Sequence, residues 1–263
     1  MRRVPVRAPS FALAAALALL AAAAAGAARA EEPAPAAETP AARSVEQVVA
    51  DLRSDEEAVR LAAAEEAAAV TDDAVASPLV KLLRDDRFDV RKAAIAALAK
   101  RSTEKGRKAA AAGLVARLGP LSKSAELEGE LVLVVRALHD LAQESAIPAL
   151  LDDIGPETGD EVVRARLLAV ANVPSKKAVD ELIQFLSRQG RGKWQGARRH
   201  VADALRYATG ENLGGDPDVW RAWWRDAERT FDVEAAAKRR AEEGEARGNR
   251  RGEREGREGR RER

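Results

Sequence analysis

The chain has 263 residues, of which 46% are hydrophobic, 3% aromatic and 33% charged, with 44 basic and 43 acidic residues and no cysteine. The lack of cysteine excludes disulfides, thiolate nucleophiles and cysteine-ligated metals. A formal net charge of +1 gives no long-range field that would attract nucleic acid, and an excess of small apolar side chains over rings favours packed helices over a sheet.

The N-terminal segment has the layout of a secretory signal. Three arginines among the first seven residues precede an apolar run at 11–27, and small residues at the positions that a signal peptidase reads precede Glu31. We predict a signal peptide over 1–30, and therefore an exported protein, periplasmic or extracellular, without a transmembrane span after cleavage. The alternative is an uncleaved anchor, because the run is nearly long enough to cross a bilayer.

Cleavage would change the balance of charge. The predicted signal holds four arginines and no acid, so the remaining chain would carry 40 basic and 43 acidic residues, a net charge of −3. Three further segments follow along the chain. We predict a disordered Pro/Ala linker over 31–43, a helical repeat domain over 44–232 and a disordered Arg/Glu/Gly-rich tail over 233–263, in which 234–243 could extend the last helix.

An internal repeat defines the helical domain. LRSDEEAVRLAAAEEAAA at 52–69 and LRDDRFDVRKAAIAALAK at 83–100 share a Leu-Arg pair, an acidic turn, a Val-Arg pair and an alanine-rich run. Val-Arg recurs at 135–136 and 163–164, and Ala-Arg takes the same place at 197–198. Each unit reads as a first helix, a turn and a second helix. Five such pairs of about 30–45 residues predict an all-α fold, an α-solenoid in which neighbouring pairs bury each other's apolar faces.

This pattern resembles HEAT repeats, over roughly residues 44–210, and in particular those of exported bacterial HEAT-repeat proteins and of the HEAT-like phycobilin lyases. In that family a turn acid and the arginine that follows it form a ladder between adjacent repeats. The third and fourth units depart from the acidic turn. The resemblance implies a ladder formed by Asp55, Arg60, Asp86, Arg91, Arg136 and Arg164.

A tryptophan cluster follows the fifth pair. Trp220, Trp223 and Trp224 fall at i, i+3 and i+4, so they share one face of a helix that begins after the turn GGDPD. We predict a C-terminal helix that caps the apolar end of the last repeat. The alternative is a platform for stacking sugars or peptides, which would require partly exposed rings.

The chain offers little catalytic chemistry. Its two histidines, His139 and His200, lie on second helices of different units without metal-ligand spacing, and no glycine-rich phosphate loop follows a strand. We therefore predict no metal, no cofactor and no enzymatic activity. A lyase-like accessory enzyme is a less favoured alternative that rests on the resemblance alone.

The fold then suggests a non-catalytic scaffold for protein interactions in the cell envelope or outside the cell. A solenoid presents a concave surface lined by its second helices, and an unknown protein partner is expected there. The predicted contact positions are Arg87, Lys92, Arg166 and Arg199.

The alternative function is a module that binds carbohydrates or envelope polymers through the tryptophans and the basic tail. Residues 246–263 hold eight arginines and four glutamates. Such a segment either keeps the protein soluble or makes a weak, salt-sensitive contact with anionic envelope polymers. Nucleic acid is not an expected partner.

Overall fold

The computed structural model describes residues 43–189 and 195–244. The predicted signal peptide, the predicted linker up to residue 42, and residues 245–263 lie outside this part of the chain. The described residues belong to one compact unit and contain no strand. In chain order the helices are α1 (Val45–Asp51), α2 (Glu57–Ala67), α3 (Ala76–Leu82), α4 (Phe88–Ala99), α5 (Glu104–Ser122), α6 (Glu128–Leu141), α7 (Ile147–Leu151), α8 (Asp160–Asn172), α9 (Lys176–Gln189), α10 (Gln195–Thr209), α11 (Pro217–Ala227) and α12 (233–244).

The helices form successive pairs that stack in two rows. The second helices α2, α4, α6, α8 and α10 each contact the next second helix along the chain. In the other row α3 contacts α5, α5 contacts α7, α7 contacts α9, and α9 contacts α11. This order confirms the predicted all-α solenoid, with five helix pairs before the tryptophan-rich helix.

Local sequence signals start several of these helices. The Ser44 side chain accepts a hydrogen bond from the Gln47 backbone N–H while the Gln47 side chain accepts one from the Ser44 backbone N–H, a reciprocal capping box. Thr103 caps α5, and Asp216 caps α11 just before Pro217. Polar residues at these positions satisfy backbone N–H groups that have no partner inside the helix.

Small side chains let the rows pack closely. The contact between α2 and α4 involves alanines that are fully buried, such as Ala63 and Ala67 on α2 and Ala94 and Ala97 on α4. Leucines, valines and isoleucines complete a single apolar cluster that runs through every helix pair. A chain with few rings can therefore build a continuous core, because alanine allows two helix backbones to approach each other.

The predicted boundary of the disordered tail is wrong, because residues 233–244 form α12. Ala236 is 3% exposed, and the Arg240 guanidinium donates to the carbonyl of Ala208 at 3.0 Å and lies 4.7 Å above the Tyr207 ring. These contacts pack α12 against the end of α10. The tryptophan-rich helix is therefore the first member of a terminal pair and not a single closing helix.

The tryptophans lie where the capping prediction puts them, against α9. Trp220 is fully buried and its indole N–H donates to the Gly214 carbonyl at 2.7 Å. Trp224 is also buried and donates to the carboxylate of Asp180 on α9. Trp223 is half-buried between the two, with its ring edge-on to Trp220 at 5.7 Å. Phe231 packs on the other side of this cluster.

Trp220→Phe should destabilise the protein more than Trp223→Phe does. The first change leaves the Gly214 carbonyl without its donor and opens space in the core, at a cost of about 1–3 kcal/mol. The second removes ring area at a half-buried position, where the indole N–H has no partner among the described residues. Urea unfolding followed by far-ultraviolet circular dichroism measures both. Equal losses would show that the buried ring does not anchor α11.

Candidate functional site

A charged contact joins the first repeat to the second. Arg60 on α2 donates through Nε to a carboxylate oxygen of Asp85 at 2.7 Å, and through Nη1 to the carbonyls of Ser54 and Asp55. Burial opposes ionisation of Asp85, but its bonds to Arg60 and to the Arg87 backbone N–H outweigh burial and hold its pKa below the ordinary value. The rung predicted for Arg60 exists, but its acid is Asp85.

The second charged contact brings three side chains together. Glu130 on α6 has a side chain only 1% exposed, and it lies between Arg91 on α4 and Arg117 on α5. Arg91 Nε donates to one carboxylate oxygen at 2.9 Å, and Arg117 Nη2 donates to the other at 2.8 Å. Burial again opposes ionisation of Glu130, but the hydrogen bonds from the two guanidinium groups outweigh it and hold the pKa of Glu130 below its ordinary value.

The turn acids predicted for the ladder are wrong. Asp55 and Asp86 present their backbone carbonyls to Arg60 and Arg91, at 2.8 and 3.1 Å, and their carboxylates make no rung. The carboxylates come instead from Asp85, one residue earlier in the turn, and from Glu130 inside a helix.

The rung predicted at Arg164 is also wrong, and the one predicted at Arg136 is present only as a long contact between exposed side chains. Arg136 is 68% exposed and only approaches Glu161 at 3.8 Å, and Arg164 is exposed with no acid partner in the described ranges. The buried positions of the second helices explain why, because they align Val90 of α4 with Glu130 of α6. In this alignment Leu131 of α6 corresponds to Arg91 of α4. It lies one turn before the Val135-Arg136 pair on which the prediction was based.

A second set of cross-links ties together the C-terminal ends of the second helices. Arg101 is buried and donates to the carbonyls of Ala67 on α2 and Ala97 on α4, and burial lowers its pKa. Arg107 donates to the Leu141 carbonyl at the end of α6 at 3.1 Å. Cations suit these positions because the last carbonyls of a helix lack intrahelical donors and carry partial negative charge. No sequence pattern indicated either arginine.

Hydrogen bonds between neutral groups extend this set of cross-links along the C-terminal ends of the second helices towards α12. The Asn172 amide donates to the His139 carbonyl at 2.9 Å, and the Tyr207 hydroxyl donates to the Asn172 side-chain oxygen at 3.1 Å. Arg240 of α12 then lies over the Tyr207 ring. Polar contacts therefore connect the ends of α6, α8, α10 and α12 in order.

Three of the four predicted partner contacts are exposed. Arg87, Lys92 and Arg199 are exposed on second helices or their caps, and Arg87 pairs with Glu57 at 3.0 Å. Alignment of the buried positions puts Lys92, Arg164 and Arg199 at equivalent places on α4, α8 and α10. None of these three cations has an ion-pair partner among the described residues.

The prediction for Arg166 is wrong, because this residue is 1% exposed and cannot touch a partner protein. Its guanidinium donates to the Asp152 carbonyl at 2.6 Å and to the Ser122 hydroxyl. Burial lowers its pKa. Arg166 occupies the position that Ala94 has on α4, so an arginine stands where the repeat normally places a small apolar residue.

An open groove of about 890 Å³ lies between α8, α10 and α12. Leu168 and Tyr207 supply part of its wall, and charged side chains surround them. The titratable lining residues are Asp160, Arg164, His200, Asp203, Arg206, Tyr207, Arg239, Arg240 and Glu243.

Two of the acidic side chains in this groove already contact a neighbouring basic side chain. The Asp160 carboxylate lies 2.7 Å from His200 Nε2, and Asp203 pairs with Arg206 at 3.4 Å. The sequence could not indicate the His200 contact, because the two residues are 40 positions apart. The other histidine, His139, lies 3.2 Å from its neighbour Asp140.

The described part of the chain contains no group of three or more histidine or acidic side chains that could hold a metal ion. Within the same residues, no helix has the length and apolar character needed to cross a membrane.

Comparison with known families agrees with this geometry. Residues 45–120 match the family model described as HEAT repeats. Over these residues the helical repeats of this chain are therefore similar to HEAT repeats. No curated protein matches the chain.

Two designed or engineered structures are distantly similar to this chain. The crystal structure of an engineered protein is 21% identical, covers 75% of this chain and 94% of its own, and has a TM-score of 0.44. A designed armadillo repeat protein in complex with the peptide (KR)4 is 20% identical, covers 76% of this chain and 99% of its own, and has a TM-score of 0.40.

Glu130→Gln should destabilise the protein by about 2–4 kcal/mol at neutral pH, because it leaves two partly buried guanidinium groups without their carboxylate. The pKa of Glu130 is held below its ordinary value of 4.5, so its ionised form stabilises the fold above that pH. This contribution is lost as the pH falls below 4.5 and through the lower pKa of the folded state.

Chemical unfolding at several pH values checks this prediction, with Glu128→Gln on the exposed surface of the same helix as the control. The difference between wild type and Glu130→Gln should shrink in acid, whereas the control should stay near zero. A difference that is constant between neutral and acidic pH would contradict the assigned ionisation.

Proposed function

We propose that this protein is a non-catalytic scaffold that binds a protein partner on the face formed by its second helices, here called the second-helix face. The observation that carries this proposal is the row of Lys92, Arg164 and Arg199. These side chains project from equivalent positions of α4, α8 and α10 and make no ion pair among the described residues. Stacked repeats turn such a position into a regular row of contacts along an extended surface.

The fold supports a scaffold more than an enzyme. HEAT-repeat folds generally serve as surfaces for protein interaction, and the arginine cross-links at both ends of the second helices hold that surface in a fixed register. Rigid presentation lowers the entropic cost of binding an extended partner.

The burial of the tryptophans opposes the carbohydrate-binding alternative. Trp220 and Trp224 are buried, and both of their indole N–H groups donate to atoms of the protein itself. A stacking platform would need ring faces open to the ligand. The tail that this alternative also used lies outside the described residues beyond 244.

Site-specific photocrosslinking tests the scaffold proposal. A benzoylphenylalanine introduced at Lys92 or Arg199 should form a covalent adduct with the same partner protein in the native host. The same group at Lys108, which is exposed on the first helix α5, is the matched control. Adducts from Lys108 alone, or none from the second-helix positions, would contradict the proposal.

We also propose that the protein acts outside the cytoplasm, as its N-terminal sequence predicts. The expected N-terminus of the protein purified from its host is Glu31, which intact-mass measurement can identify. A chain that keeps residues 1–30 and sediments with membranes would favour the uncleaved anchor. A full-length chain in the cytoplasmic fraction would contradict export.

A further inference from the structure

We propose that the groove between α8, α10 and α12 binds a carboxylate-rich segment of the partner protein. This inference rests on the proposed function and names the chemistry of the partner at one end of the second-helix face. It follows from which charges in the groove are already paired, from how α12 is anchored, and from the charge of the adjoining sequence.

The charge left over in the groove is positive. With His200 neutral, the lining holds four arginines and three acids, a formal net charge of +1. Asp160 contacts His200, and Asp203 pairs with Arg206. Arg164 on α8 and Arg239 on α12 line the groove from two helices, and neither has an acid partner among the described residues. Glu243, a turn beyond Arg239, is the third acid of the lining and lies near the end of α12. Two cations on different helices of one groove suit the carboxylates of a bound chain.

The wall that carries Arg239 is fixed. Its neighbour Arg240 stacks on Tyr207 and donates to the Ala208 carbonyl, and burial lowers the pKa of Arg240. Ala236, one turn earlier, is buried against the rest of the protein. These two contacts orient α12, so the exposed Arg239 keeps its place beside the groove without a bond of its own among the described residues.

The charge of the surroundings continues in the same sense. Arg199 and Lys92 extend the unpaired row from Arg164 along the second-helix face. In the sequence, residues 245–263 hold eight arginines and five glutamates. An acidic segment would therefore meet favourable charge inside the groove and along the second-helix face, which speeds encounter and fixes orientation.

The size of the groove also fits a protein segment. A volume of about 890 Å³ is near the upper end of ligand pockets, which span roughly 300–1,000 Å³, and it is open along one side. Leu168 and the Tyr207 ring add apolar surface to the lining. Acidic residues alternating with small apolar ones would satisfy both parts of this lining.

Fluorescence anisotropy with a labelled peptide tests the inference on the full chain. The probe is an octapeptide of alternating glutamate and alanine, and the reference is the same peptide with lysine in place of glutamate. We expect the acidic peptide to bind, the basic one not to, and the affinity to fall as salt rises from about 50 to 200 mM. Arg164→Glu and Arg239→Glu should each weaken binding by at least about tenfold.

Lys238→Glu is the matched control, because it makes the same charge change on α12 at an exposed residue that does not line the groove. It should leave the affinity within about twofold of wild type, and circular dichroism should show all three variants to be folded. An equal loss in the Lys238 variant would overturn the inference, since it would show attraction to overall charge and not to the groove.

Two other results would also overturn it. One is tighter binding of the basic peptide. The other is binding of polyphosphate or anionic vesicles without any binding of the acidic peptide. That result would show that Arg164 and Arg239 bind a phosphate-bearing polymer or lipid surface and not a protein segment. A partner crosslinked at Lys92 and Arg199 that binds Arg164→Glu and Arg239→Glu normally would leave the scaffold in place and reject the groove alone. If no partner is crosslinked at Lys92 or Arg199 but the acidic peptide still binds, the scaffold proposal is rejected and the groove is kept as a binding site.

Discussion

Each helix pair of this protein can bury its apolar face only against the next pair, and arginine side chains fix how neighbouring pairs meet. At one end of the second helices, Arg60 reaches Asp85 in the following turn, and Glu130 receives Arg91 and Arg117 from two different helices. At the other end, Arg101 joins the last carbonyls of α2 and α4. Alanine-rich faces can slide past one another at little cost, because small side chains interdigitate weakly. Directional bonds at both ends remove that freedom and define a single register.

These cross-links bury charge, and the protein manages that cost in two ways. Glu130 stays ionised because two guanidinium groups outweigh its desolvation. Arg166 has no carboxylate partner and relies on the Asp152 carbonyl and the Ser122 hydroxyl, with its Nε atom unbonded among the described residues. A buried cation with neutral partners contributes little net stability, yet it penalises any packing that breaks its bonds. Arg166 therefore acts on the specificity of the fold more than on its free energy.

The sequence predicted the fold class because two repeats share both their motif and their apolar phase. It failed in the third and fourth repeats because the Val-Arg pairs there are out of phase with those of the first two repeats. Their valines are buried, but their arginines face solvent. Matching the apolar pattern around Val134 and Val135 to that around Ala94 and Ile95 would have revealed the mismatch. No local pattern could have placed Glu130 or Arg166 in the core, since charged residues in a helix normally face solvent. Their burial depends on partners far along the chain.

The terminal pair shows how one end of a solenoid can be closed and still present a surface. The rings of Trp220 and Trp224 cover α9, so the first-helix row ends in a packed face. In the second-helix row, α12 contacts the end of α10 through the buried Ala236 and through Arg240, and a small alanine side chain covers less of a neighbouring helix than a leucine would. The surface of α8 and α10 beside α12 therefore stays open as a groove. The alanine and arginine content of residues 233–244, which left open in the sequence whether they extend a helix or belong to a disordered tail, thus determines the shape of this groove.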